Sequence, residues 1–106
     1  MGGRKTILEN LKKFKENLKK RIDINRVIFF GSRASGKPHK DSDIDLLIVS
    51  KDFRDKKFRH RAIGFYDYWD LDYPVDFLCY TPEEFNKLKK QVTIVREAVE
   101  NGIEIK

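Results

Sequence analysis

Two carboxylates lead without a break into an apolar run: Asp43-Ile44-Asp45 is followed by Leu46-Leu47-Ile48-Val49. A short apolar run of this kind reads as a central, largely buried strand over 44–50. Successive strand residues alternate faces, so Asp43 and Asp45 project to the same side. Two carboxylates held side by side repel unless a cation lies between them. A hard divalent ion such as Mg²⁺ takes oxygen ligands, and commonly uses one or two carboxylates plus substrate phosphates. The bland reading is a solvated strand end. It is weakened by position, because an unpartnered carboxylate next to a buried sheet is costly.

The elements around this strand follow from pattern. Residues 6–21 carry Ile7, Leu8, Leu11, Phe14 and Leu18 at helical spacing with lysines on the other side, and Thr6 with Glu9 fits a capping box. Arg26-Val27-Ile28-Phe29-Phe30 is a strand stopped by Gly31, and 31–42 reads as a loop with room for one helical turn. Residues 55–70 are expected to form a second helix with Phe58, Ala62, Phe65 and Trp69 on one face. Pro74 to Tyr80 is a third strand. Thr81-Pro82-Glu83-Glu84 is a helix start with a capping box, and Phe85, Leu88, Val92, Val95 and Val99 extend that helix to a stop at Asn101-Gly102. Ile103-Glu104-Ile105 adds a short edge strand. The expected fold is α/β: a small mixed sheet with helices packed on it.

The chain has 106 residues, which suits one domain spanning 1–106 with residues 1–4 as a flexible lead-in. Net charge is +6, which suits an anionic ligand or partner, although composition alone favours a solvated lysine-rich surface. Lys12, Lys13, Lys15, Lys19 and Lys20 fall on the outer side of the first helix, so solvation is the plainer account than direct nucleic-acid binding. Cys79 is the single cysteine and lies within a strand, where a buried structural thiol is expected rather than a disulfide or a reactive group. The N-terminus has no apolar h-region and no stretch approaches the ~20 apolar residues of a membrane span. Cytoplasmic residence without membrane association is the expectation.

Two further features bear on chemistry. Gly31-Ser32 directly follows a strand. Glycine allows close approach by a phosphate, the serine adds a hydroxyl, and the next N–H groups point at an anion if a helical turn begins there, although Gly-Ser after a strand is more often an ordinary turn. Asp76 is a lone acid within Pro74-Val75-Asp76-Phe77-Leu78. It either joins Asp43 and Asp45, if the third strand lies beside the second, or pairs with a lysine or arginine. Asp67, Asp70 and Asp72 compete for that third position from a helix end and turn. His39 and His60 are too isolated to suggest a metal site. The aromatics Phe65, Tyr66, Tyr68, Trp69 and Tyr73 read as core and rim packing, with any exposed part, Tyr66 or Tyr68, a candidate protein contact.

The segment Gly31-Ser32-Arg33-Ala34-Ser35-Gly36, followed by Ser42-Asp43-Ile44-Asp45-Leu46 and a lone strand aspartate, resembles the signature of the DNA polymerase beta-like nucleotidyltransferase superfamily. Within it, the resemblance is to the small prokaryotic branch of minimal nucleotidyltransferases. It covers the active-site core tightly, and the element order extends it across most of the chain.

The resemblance implies transfer of a nucleoside monophosphate, AMP from ATP, by in-line attack on the α-phosphorus with pyrophosphate leaving. It implies that Asp43, Asp45 and Asp76 hold one or two Mg²⁺ ions and that Asp76 also helps to activate the acceptor hydroxyl. Two such ions lie about 3.5–4 Å apart in two-metal sites. Gly31, Ser32, Arg33 and Ser42 would hold the nucleotide. No acceptor-binding domain is evident, so the acceptor site is expected from a partner or from homo-oligomerisation, for which the terminal edge strand offers a surface. Minimal nucleotidyltransferases resemble in this respect the antitoxin halves of toxin–antitoxin pairs. Their partner is a helical HEPN-type ribonuclease toxin, and their activity is AMP transfer to one of its tyrosines. The alternative is a non-catalytic nucleotide-binding protein that neutralises a toxin by contact alone.

Overall fold

The computed structural model describes residues 4–35 and 43–106. Four strands form one sheet: β1 (Arg26–Phe30), β2 (Ile44–Val49), β3 (Val75–Tyr80) and β4 (Ile103–Glu104). Their spatial order is β3-β2-β1-β4. β2 runs antiparallel to β1 and parallel to β3, and β4 pairs antiparallel to β1, so the sheet is mixed and β4 is a short edge strand as expected. Among the described residues four α-helices accompany it: α1 (Arg4–Lys19), α2 (Ser32–Ser35), α3 (Pro82–Leu88) and α4 (Ile94–Asn101).

Alternation along the strands divides the core in two. Val27, Phe29, Ile44, Leu46, Ile48, Phe77 and Cys79 face α1, which buries Ile7, Leu11, Phe14 and Leu18 against them. Ile28, Phe30, Leu47 and Val49 face the other way and are covered by Phe85 of α3 and by Val95 and Ala98 of α4. The apolar run of β2 is therefore buried on both faces, which is why it needs no polar alternation. Phe77 is the hub of an aromatic group: Phe14, Phe65, Tyr66 and Trp69 all pack on it, with ring centroids 5.1–5.9 Å away. The aromatics of 65–69 are thus core and rim, and Tyr66 is the one left largely exposed.

Three expectations require correction. Residues 55–70 do not form a helix. They make 3-10 turns at Phe58–His60 and Phe65–Tyr68, following another at Lys51–Phe53. The interruption is Gly64, at φ +88°, whose missing side chain leaves room for the Arg21 guanidinium. The segment is anchored instead by Arg61, which is buried, donates to the Lys56 and Cys79 carbonyls at 3.1 Å each, and pairs with Glu84. Residues 82–101 are two helices rather than one. Thr93 donates its hydroxyl to the Leu88 carbonyl and accepts the Arg96 N–H, which starts α4 afresh. Val92 lies in the break and is 94% exposed. Finally, α1 already begins at Arg4, so Thr6 and Glu9 lie inside the helix and not at its cap. The capping box at Thr81 and Glu84 forms as expected.

Candidate active site

The three aspartates converge at one end of the sheet, where β1 finishes and β2 and β3 begin. In the parallel β2–β3 pair Asp45 is the register partner of Asp76, and in the antiparallel β1–β2 pair it faces Phe30, the last residue of β1. Asp45 and Asp76 share the face that carries Leu47 and Val49 farther along, beyond the cover given by α3 and α4. Asp43 precedes β2 by one residue and is exposed. The register puts Asp76 opposite Asp45, whereas Asp67, Asp70 and Asp72 are exposed residues of the segment before β3.

Electrostatics agree with this placement. Burial, then Asp76, then Asp43 push the Asp45 carboxyl above the ordinary carboxylate range. Asp45 is only partly buried, and the two acidic neighbours that act on it are the carboxylates of Asp76 and Asp43. Such a donor set fits a hard divalent cation, which would relieve the repulsion. Among the described residues no three acidic, histidine or cysteine side chains are gathered closely enough to hold a metal ion as they stand. The fit therefore rests on register and repulsion.

Gly31 and the turn after it form the adjoining wall. Gly31 has φ +88°, and a Cβ there would collide with Asp45 Oδ2 and lie 3.2 Å from its Cγ. Only glycine lets the backbone turn and pass this close to the carboxylate. The turn continues directly into α2, with Ser35 N–H bonded to the Gly31 carbonyl at 3.1 Å and the Ser35 hydroxyl to the Ser32 carbonyl at 2.9 Å. Ala34 is buried beneath it, fixing the turn on the sheet. Arg33 stacks its guanidinium over the Tyr73 ring at 4.4 Å. Ser42, His39 and Gly36 lie outside the described residues.

An open cleft of about 500 Å³ runs beside this turn, lined by Phe30, Gly31, Ser32, Ser35, Glu97 and Asn101. The last two come from α4 and were missed in the sequence, where they read as the polar side of an amphipathic helix. Their one sequence signal is that they stand four apart and share a face. Gly102 holds this end of α4 against β1, since a Cβ there would lie 2.7 Å from Ile28 Cγ2 and 3.0 Å from the Phe29 carbonyl oxygen. Cys79 is buried, and burial pushes its thiol up to about 12, as expected of an inert structural cysteine. No helix among the described residues is long and apolar enough to cross a membrane.

Comparison with known proteins gives consistent findings. The nucleotidyltransferase domain family matches residues 11–104. A Haemophilus influenzae protein named "Probable protein adenylyltransferase MntA" is 36% identical over 77 residues, covering 71% of this chain and 68% of that protein. A Methanocaldococcus jannaschii protein named as a protein adenylyltransferase is 31% identical over 103 residues, covering 93% and 98%. A crystal structure described as a nucleotidyltransferase from Sulfolobus solfataricus shares the fold at TM-score 0.64 and 21% identity, over 92% of this chain and 77% of its own. A second nucleotidyltransferase structure aligns at TM-score 0.51 and 32% identity, over 76% and 87%.

Proposed function

The chain belongs to the nucleotidyltransferase domain family and is a nucleotidyltransferase, and we propose that it transfers AMP from ATP to a tyrosine hydroxyl of a partner protein, a HEPN-type toxin that it thereby neutralises. The observation that carries the reading is the register pair Asp45–Asp76, with the Gly31 turn pressed against Asp45. The protein acceptor is supported by the relatives named as protein adenylyltransferases.

Asp43, Asp45 and Asp76 would hold Mg²⁺. When bound, the ion supplies positive charge that offsets the charge building on the phosphate oxygens. Gly31 and Ser32 seat the triphosphate in the cleft, the glycine by close backbone approach and the serine by its hydroxyl. Arg33, the residue after Ser32, whose guanidinium stacks on Tyr73, would balance charge. Asp76 takes the proton of the attacking hydroxyl. A bond forms between the acceptor oxygen and the α-phosphorus, the bond from that phosphorus to the bridging oxygen breaks, and pyrophosphate leaves. Little beyond positioning and charge is required of the protein, which is consistent with so small a fold.

The test uses a HEPN-type toxin co-expressed with this chain. Mass spectrometry of the toxin should find AMP on tyrosine with the wild type. Asp76→Asn should lower the transfer rate by roughly 10²–10⁴-fold, the usual contribution of a positioned proton acceptor. A toxin that carries no AMP, although the wild-type chain binds Mg–ATP, refutes this acceptor. Toxin neutralised without modification would instead mean inhibition by contact.

A further inference from the structure

The cleft beside Gly31 has two chemically unlike walls. One is the glycine-serine turn, whose backbone and hydroxyls suit phosphate. The other is α4, which presents the Glu97 carboxylate and the Asn101 amide. Glu97 is exposed and takes part in no ion pair among the described residues, in a protein of net charge +6. Its helical neighbours at positions 93, 94, 100 and 101 are Thr, Ile, Glu and Asn, so no cation stands at ion-pair spacing on its own helix. Arg96, next to it, pairs with Glu100 at 3.5 Å instead. A second hollow of about 360 Å³ shares Glu97 and Asn101 and continues past them to Val92, Thr93, Arg96 and Glu100.

A carboxylate facing a triphosphate site repels the phosphates. It is tolerated there only if it meets the uncharged part of the nucleotide, which offers hydrogen-bond donors. We infer that Glu97, with Asn101 beside it, is the nucleoside-reading wall of the site: it accepts hydrogen bonds from ribose hydroxyls or from an exocyclic base amine while the phosphates lie at Gly31 and Ser32. The inference rests on the nucleotidyltransferase reading and adds to it a nucleotide-discriminating pair. α4 is suited to the task because Thr93 caps one end, and Gly102 seats the other against β1. The spacing between the two walls is thereby fixed. Val92, left exposed in the break before α4, borders the second hollow, where a base would find apolar surface.

Calorimetric titration of the whole chain in Mg²⁺ tests this with four probes: ATP, dATP, ITP and inorganic tripolyphosphate. The wild type should bind ATP more tightly than dATP if the ribose hydroxyl is read, or than ITP if the amine is read. Glu97→Gln and Asn101→Ala should each weaken ATP binding, roughly tenfold for Glu97→Gln as expected for a lost charge-assisted hydrogen bond, and should erase that preference. Neither variant should weaken tripolyphosphate binding. Both residues are exposed, so the fold should survive, and unchanged thermal melts would verify it. Tighter ATP binding by Glu97→Gln would mean that Glu97 faces the phosphates, and it would overturn the inference. So would ATP binding unaltered by either variant. A wild type that binds neither ATP nor tripolyphosphate would remove the nucleotidyltransferase site itself, and this inference with it.

Discussion

At the scale of single residues, an ionised Asp45 costs stability in the folded state, and a bound cation would relieve that cost. Its carboxyl is pushed above the ordinary range by burial and by two neighbouring aspartates, so its ionised form is less favourable folded than unfolded. In metal-free buffer at neutral pH, Asp45→Asn should therefore melt a few degrees higher than the wild type. Added Mg²⁺ should raise the wild-type melting temperature and leave the variant unmoved. Equal responses of the two proteins to Mg²⁺ would show that Asp45 is no ligand. Gly31 is constrained differently, by backbone shape and by the carboxylate beside it. Gly31→Ala should cost at least about 1 kcal/mol in denaturant melts from the left-handed backbone alone, and should displace Asp45 and depress nucleotide transfer further. The paired aspartates stood out by type and spacing, since an acid that opens an apolar strand is an anomaly, whereas Gly31-Ser32 alone reads as an ordinary turn and gained meaning only beside them. Whether Asp76 joined them or met a cation was open in the sequence, and strand register decided its position.

At the scale of elements, the strands were readable because each is a compact apolar run with both ends marked by polar or turn residues. The segment 55–70 was not. Phe58, Ala62, Phe65 and Trp69 keep helical spacing, yet Gly64 adopts a backbone that a helix excludes, and Arg61 anchors the chain through tertiary bonds that no local pattern announces. The division of 82–101 had a signal, a threonine followed by helix-forming residues, but the valine spacing across it overrode that signal. The Arg61–Glu84 pair ties the irregular segment to α3, and its strength carries a pH signature. The Arg61 guanidinium, by hydrogen bonding, holds the Glu84 carboxyl below its ordinary range. Its contribution is present above the ordinary glutamate range and is lost as pH falls through the lowered value. Glu84→Gln should destabilise the chain at neutral pH by about 1–2 kcal/mol, allowing for the half-exposure of Glu84. That deficit should shrink in acid, as read from melts across pH, and a pH-independent deficit would show that packing and not charge links the two.

At the scale of the whole molecule, one mixed sheet with both faces covered leaves a single end where three aspartates, a glycine turn and the last helix meet. The fold thus keeps the core apart from the candidate site: α1, α3 and the buried part of α4 close the core, and the open sheet end carries the candidate site residues. The α4 wall was hidden in the sequence because exposed Glu97 and Asn101 look like any solvated helix face until the tertiary fold sets them across from Gly31. The central claim, that this sheet end transfers a nucleotide, is tested most directly by following label from ATP into protein with Mg²⁺ present. Parallel reactions would carry α-labelled or γ-labelled ATP, with the wild type and an Asp43→Asn/Asp45→Asn double variant. The account predicts transfer of the α-label alone by the wild type and none by the variant. Transfer of the γ-label, or α-label transfer that persists in the variant, would contradict it.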